Sequence, residues 1–207
     1  MKTLFHGFDL TRVLHRASAV VLLIFILPHI ANHLMALTGI ETHIAAMRQL
    51  RAVYRFAAVE VLLLAAALLQ VVTGLVLAYH GRHKRLGFWP RLQTWSGIAI
   101  ATFLLQHVPA VMVGRYLQQL DTNFYFAAAV LQGGLHKYYF FPYYFLGLTA
   151  VFVHLAAALR LRMQPGFART LAVCTLFVTG MGAAVLILLC FGGALYEVRL
   201  PAGYKFL

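Results

Sequence analysis

Five stretches of the chain stay apolar long enough to cross a bilayer core, which takes about 20 helical residues. They run roughly over 18–37, 56–79, 95–116, 139–159 and 171–195. Basic residues gather at their ends and are scarce within them. The pattern predicts an all-α membrane protein, a five-transmembrane-helix bundle forming a single domain over residues 1–207. Two connections, GRHKRLGFWPR and RLRMQPGFAR, are short turns with proline, glycine and basic residues. The other two, from about Thr38 to Arg55 and from Leu117 to Lys137, are longer and predict short amphipathic or interfacial helices.

Composition excludes a water-soluble domain. Hydrophobic residues make up 62% of the 207 residues and charged residues only 11%, with a mean hydropathy of +0.82. A soluble domain of this size keeps about a quarter of its residues charged. Seventeen Lys and Arg against five Asp and Glu give a formal net charge of +12. In a soluble chain that excess would suggest nucleic acid. Here the basic residues lie between apolar runs, where they set topology and meet lipid headgroups. Lys2, Arg12, Arg16, Arg82, Lys84, Arg85, Arg91, Arg160, Arg162 and Arg169 fall on one side. Arg48, Arg51, Arg55, Arg115, Lys137, Arg199 and Lys205 fall on the other. The bias places the N-terminus in the cytoplasm and the chain in a membrane such as the bacterial inner membrane. The opening MKTLFHGFDLTR has no small-residue cleavage site after a short apolar stretch, so the first helix reads as a retained span.

Cys174 and Cys190 share one apolar run, 16 residues and roughly 24 Å apart along a helix, too far to pair. There is no CxxC, no iron–sulfur spacing and no G-x-G-x-x-G. Iron–sulfur or flavin chemistry would therefore sit on a partner.

Ten histidines are many for so apolar a chain. His29 and His33 lie in the first span, His107 in the third and His154 in the fourth, with His80 at the end of the second. Ionisable groups at membrane depth are costly and mark pathways or cofactors. Neutral imidazole suits the axial position of a haem iron. His29 lies 13 residues past Arg16, roughly 20 Å from the cytoplasmic edge, and His107 lies 16 past Arg91, roughly 24 Å. Both helices leave the same side, so the two meet at similar depth in the outer half. His154 precedes Arg160 by six residues, roughly 9 Å from the cytoplasmic side, and cannot share an iron with His29. The reading is one matched axial pair, His29 with His107, and one unmatched histidine. His33, one turn from His29, reads as a solvated or propionate-contacting group. Interhelical hydrogen bonding is the alternative use of any of them.

These segments resemble the five-helix cytochrome b membrane anchor of succinate dehydrogenases and fumarate reductases. RVLHRASAV is similar to the start of the first helix in that family, and IFILPHIANH to the segment carrying its first haem ligand, here His29. LQTWSGIAIATFLLQH and YFLGLTAVFVH keep two Gly-to-His intervals ending at His107 and His154. The resemblance covers about residues 10–160. It implies a distal haem held by the first and third long helices and a proximal one held by the second and fourth. Where the proximal ligand on the second helix is expected, in LLQVVTGLVLA, this chain has Gln70. The distal haem is thus supported and the proximal one is not. A Gln70–His154 hydrogen bond and a haem held by His154 alone are the two alternatives there. The resemblance further implies a quinone pocket at His15, Arg16 and Ser18, with iron–sulfur and flavoprotein partners on the cytoplasmic face. Cationic and hydroxyl donors suit quinone carbonyls, while anchoring at the interface is the alternative.

Glu60 is the one acid well inside a span, suited to proton transfer or to a pair with Arg51 or Arg55. The run KYYFFPYYF reads as an interfacial aromatic belt. The functional expectation is a b-type haem membrane subunit, an electron-transfer component that exchanges electrons with quinone, holding one haem b. The alternative is a haem-free scaffold anchoring a soluble partner by its basic face. A small transporter using Glu60 and the histidines lacks inverted repeats and broken helices.

Overall fold

A computed structural model describes residues 2–81 and 87–205, with side chains from Leu10 onward. The side chains of Lys2, Arg82, Lys84 and Arg85, counted above for orientation, lie outside the described residues. The described residues form α1 (Lys2–Leu34), α2 (Ile40–Tyr54), α3 (Ala57–His80), α4 (Phe88–Met112), α5 (Phe124–Gln132), α6 (Lys137–Arg160) and α7 (Phe167–Phe191). A 3-10 turn extends α1 to Thr38 and a π turn extends α4 to Leu117.

Five of these are long and apolar enough to cross a membrane: Leu10–Thr38, Ala57–His80, Phe88–Leu117, Lys137–Arg160 and Phe167–Phe191. The chain is an integral membrane protein of all-α class. Large apolar side chains such as Ile24, Val61, Leu68 and Val178 point outward, as lipid allows. The helices α2 and α5 stand where the longer connections predicted interfacial helices.

Helix ends differ from the sequence expectation in several places. The first helix extends N-terminally of residue 18, and α4 starts at Phe88 rather than 95, because no breaker stops either at the interface and long basic side chains tolerate that zone. The last helix ends at Phe191 rather than 195. Gly193 adopts φ +77° there, Ala194 N–H bonds the Leu189 carbonyl and Gly193 N–H bonds that of Cys190. That is a Schellman stop, which needs a residue tolerant of the left-handed region.

Small residues let helices approach where the hydrophobic effect gives no drive. The Phe103 ring of α4 lies against Gly147 of α6, and Phe152 of α6 lies against Gly180 of α7. Leu22 of α1 packs on Ala66 and Ala67 of α3. These contacts assemble one group from α4, α6 and α7 and a second from α1 and α3, with α3 also touching α4. Among the described residues no Cα of α1 comes within 8 Å of α4 or α6. The α1 helix meets the other group at α7, where Ile30 packs with Phe152 and Ala183, and its backbone stays apart from α4, which leaves a seam between those two helices.

The end of the bundle opposite the N-terminus carries a cap of α2, α5 and the segment after α7. Its core holds Ala36, Ile44, Phe124, Ala128, Leu131, Cys190 and Phe191. Arg51 pairs with Asp121 at 2.6 Å, the Tyr196 hydroxyl donates to the Ala36 carbonyl at 2.8 Å, and that of Tyr204 to the Asp121 carbonyl at 2.7 Å. The two cysteines are free.

The glycine contacts make a stability test. Gly147→Ala places a methyl into the Phe103 ring and should cost about 1–3 kcal/mol. Gly182→Ala meets nothing within 4 Å and should be neutral or slightly stabilising. Thermal unfolding in detergent separates the two, and equal midpoints would contradict this packing.

Candidate functional site

The seam between the two helix groups holds the intramembrane polar side chains. Towards the capped end, the rings of His29 on α1 and His107 on α4 face one another with centroids 6.4 Å apart and planes at 68°. Two imidazoles bound to one metal at about 2 Å each put their nitrogens about 4 Å apart and their centroids roughly 6 Å apart. The pair has that spacing, across helices whose backbones are held apart. His107 stacks on Phe103 at 4.9 Å and His29 on Phe25 at 5.1 Å, so aromatic neighbours set both rings. Among the described residues no three His, Cys, Asp or Glu side chains converge as a bare metal site requires. A porphyrin iron needs only two axial side chains. The spacing of the pair suits two such side chains.

His29 does not stand alone on its side. His33 follows one turn later on the same face, and their Nε2 atoms lie 3.2 Å apart. His33 Nδ1 lies 3.1 Å from Nε2 of His43, on α2, which also contacts Nδ2 of Asn32 at 3.3 Å. A line of hydrogen-bonded imidazoles thus runs from His29 into the cap. It carries its protons in either direction, His43 to His29 or the reverse, since each ring has one donor and one acceptor nitrogen. Phe124 and Phe191 pack edge-on against His43. His43 is fully buried, and its Nδ1 and the Oδ1 of Asn32 lack partners.

His43 and Asn32 escaped the sequence reading. His43 falls in a connection rather than a span, so its depth could not be counted. The signal that existed was the amphipathic pattern of residues 40–54, which places His43 beside Ile44 and Met47 on the buried face.

Nearer the N-terminal face, the seam opens into a cavity of about 400 Å³ between α1, α3, α4 and α6. His15, Arg16, Gln70 and His154 all line it. Residues that the sequence divided between a quinone pocket and a proximal haem position thus share one space. Ser18 is buried behind its wall and donates to Gln70 Oε1 at 2.7 Å. Gln70 does not bond His154. Its amide nitrogen lies 3.2 Å from His15 Nε2, because α1 packs on α3 there, while His154 Nδ1 donates to the Gln93 carbonyl at 2.8 Å.

Glu60 pairs with Arg115, not with Arg51 or Arg55, and Tyr116 lies on both. The π turn at the end of α4 carries Arg115 round to α3, whereas Arg51 and Arg55 are engaged by Asp121 and Thr122.

Comparison with protein-family models, with curated proteins and with solved structures found no match.

Burial, and then the charge of Arg51, push the His43 pKa down from 6.5 to about 4. A base whose folded pKa is depressed loses stability as pH falls, because the unfolded chain takes up a proton that the folded chain refuses. Between pH 6.5 and 4 the unfolding midpoint of the wild type should therefore fall more steeply than that of His43→Gln. Parallel pH profiles would remove His43 from this account.

Proposed function

We propose that this chain is a b-type haem-binding membrane subunit that passes electrons to or from quinone, resembling the cytochrome b anchor of succinate dehydrogenases and fumarate reductases. The observation that carries the reading is the His29–His107 pair, with ring centroids 6.4 Å apart on helices with no close backbone approach. A haem b bound there supplies one-electron redox chemistry.

The chain's own residues hold and shield that position. His29 and His107 would hold the haem through their imidazole nitrogens. Phe25 and Phe103 fix the two rings, and the cap of α2 and α5 covers the outer end. His33, His43 and Asn32 form a polar path beside the axial pair through which a proton can pass. His33, held by His43, would be the neighbouring polar group for a haem bound at His29.

Quinone belongs on the N-terminal side, by the cavity that holds His15, Arg16, Gln70 and His154. With no iron–sulfur cysteine motif in the sequence, the chain is an electron-transfer component whose donors or acceptors are iron–sulfur and flavoprotein partners at the basic face. The excess of basic residues on that face supports a cytoplasmic orientation for it, in a membrane such as the bacterial inner membrane.

Reduced-minus-oxidised spectra of variants test the axial assignment. His29→Ala and His107→Ala should each abolish the b-type α-band, while His33→Ala should keep the band and shift the midpoint potential. The oxidised wild type should give the strongly anisotropic low-spin signal of imidazole planes far from parallel. Haem retained in both axial variants would refute the assignment. A haem-free wild type would favour the scaffold reading.

A further inference from the structure

The outward face of α4 carries a polar group that lipid cannot satisfy. This helix packs on α3 and α6 and turns Trp95, Thr102, Gln106, Pro109 and Val113 away from the bundle, all of them exposed. Their intervals of seven, four, three and four residues keep them on one side of the helix, which is the pattern of a stripe where one helix meets another. Gln106 lies 15 residues past Arg91, roughly 22 Å along the helix and so inside a hydrocarbon core of about 30 Å.

Its carboxamide is only half engaged. The Tyr139 hydroxyl donates to Oε1. The amide nitrogen reaches the Thr102 carbonyl of its own helix at 3.4 Å, longer than an ordinary N–H···O bond. One N–H and one lone pair of Oε1 find no partner among the described residues. Thr102, one turn earlier, donates its hydroxyl to the Ile98 carbonyl at 3.0 Å and asks for no further acceptor. An unpaired amide N–H is costly in hydrocarbon, and an acceptor on another helix removes that cost.

The chemistry of the face selects the partner. No charged residue lies between Trp95 and Val113, so two copies of the face can approach without like-charge repulsion. A carboxamide is donor and acceptor at once and therefore complements itself. Across a twofold axis each Nε2–H donates to the Oε1 of the other copy. Copies inserted in the same orientation bring their Gln106 residues to one depth, and the small Thr102 lets the two helices close up beside the amides. We propose that α4 is the self-association face of this chain, and that a second copy docks on it about a twofold axis along the membrane normal through reciprocal Gln106 hydrogen bonds. This interface lies outside the α1–α4 seam and is independent of both the haem and the quinone readings.

Energy transfer between full-length chains labelled with donor and acceptor dyes through a C-terminal tag, in vesicles of phosphatidylcholine and phosphatidylglycerol, tests this. Varying the protein-to-lipid ratio gives the dimer dissociation constant. Wild-type chains should associate. Gln106→Leu keeps the bulk and removes the amide, and should raise the dissociation constant by about tenfold or more, the worth of one or two interhelical hydrogen bonds. Thr102→Trp should block the approach and weaken association as well. Val61→Trp, on the outward face of α3, should leave it unchanged. Circular dichroism and thermal unfolding check that each variant is folded. In a Cys174→Ser background, oxidation should link chains carrying Thr102→Cys into dimers and leave those carrying Val61→Cys single. Wild-type transfer no greater than chance at every ratio would overturn the proposal. So would a dimer that Gln106→Leu leaves at wild-type strength, since its interface would then lie elsewhere. A chain that stays single when pure, and is cross-linked through Thr102→Cys to a different protein in native membranes, would give the face another occupant and likewise overturn it.

Discussion

A polar atom at membrane depth must find a partner inside the protein, because lipid offers none. The arrangement of this bundle follows from that demand. Five spans carry several histidines, glutamines, a glutamate and an arginine past the lipid boundary. His15, His29, Gln70, His107 and His154 lie between the α1–α3 pair and the α4–α6–α7 group, while Gln106 stands outside and is met by the Tyr139 hydroxyl. Glu60 is met by Arg115 and Tyr116, His15 by Thr73 and Gln70, and His154 by the Gln93 carbonyl. His29, His33 and His43 bond one another in a line. The glycines at 97, 147 and 180 let the group containing α4, α6 and α7 close up. Between α1 and α4, imidazoles stand opposite one another towards the capped end and a cavity opens towards the N-terminal one.

That division gives the two ends different chemistry. Near the cap, two rings stand at the spacing of a shared metal, and a polar line leads from one of them into the cap. Near the N-terminal face, one wall is closed by an ordered set of hydrogen bonds and the other presents a single imidazole lone pair. An axial pair and a hydrogen-bond acceptor are different uses of the same side chain, set by what holds the other ring nitrogen.

The helices and the depths of His29 and His107 were legible because both depend on counting. Span length follows from bilayer thickness, and depth from residues past the last arginine at a fixed rise. Which histidines face one another was not fixed by counting alone, because rotation about a helix axis depends on neighbours. His43 was missed because an interfacial helix folds back over the bundle, and a connection carries no depth scale. The partner of Gln70 was misread because the sequence aligned it in depth with His154, whereas the packing of α1 on α3 brings His15 closer. The partner of Glu60 was missed because the π turn at Val113–Leu117 redirects Arg115 in a way that hydropathy does not record. The stop at Gly193 was written in the sequence as a glycine pair but lay inside an apolar run that hid it.

The claim on which the rest turns is that the seam holds a single haem, at its capped end. Pyridine-haemochrome analysis of the wild-type protein, purified under haem-replete conditions and normalised to chain concentration, measures this directly. The account predicts one haem b per chain. Two per chain would show that the hollow end also takes a porphyrin, and none would leave the facing imidazoles as an interhelical contact without an iron.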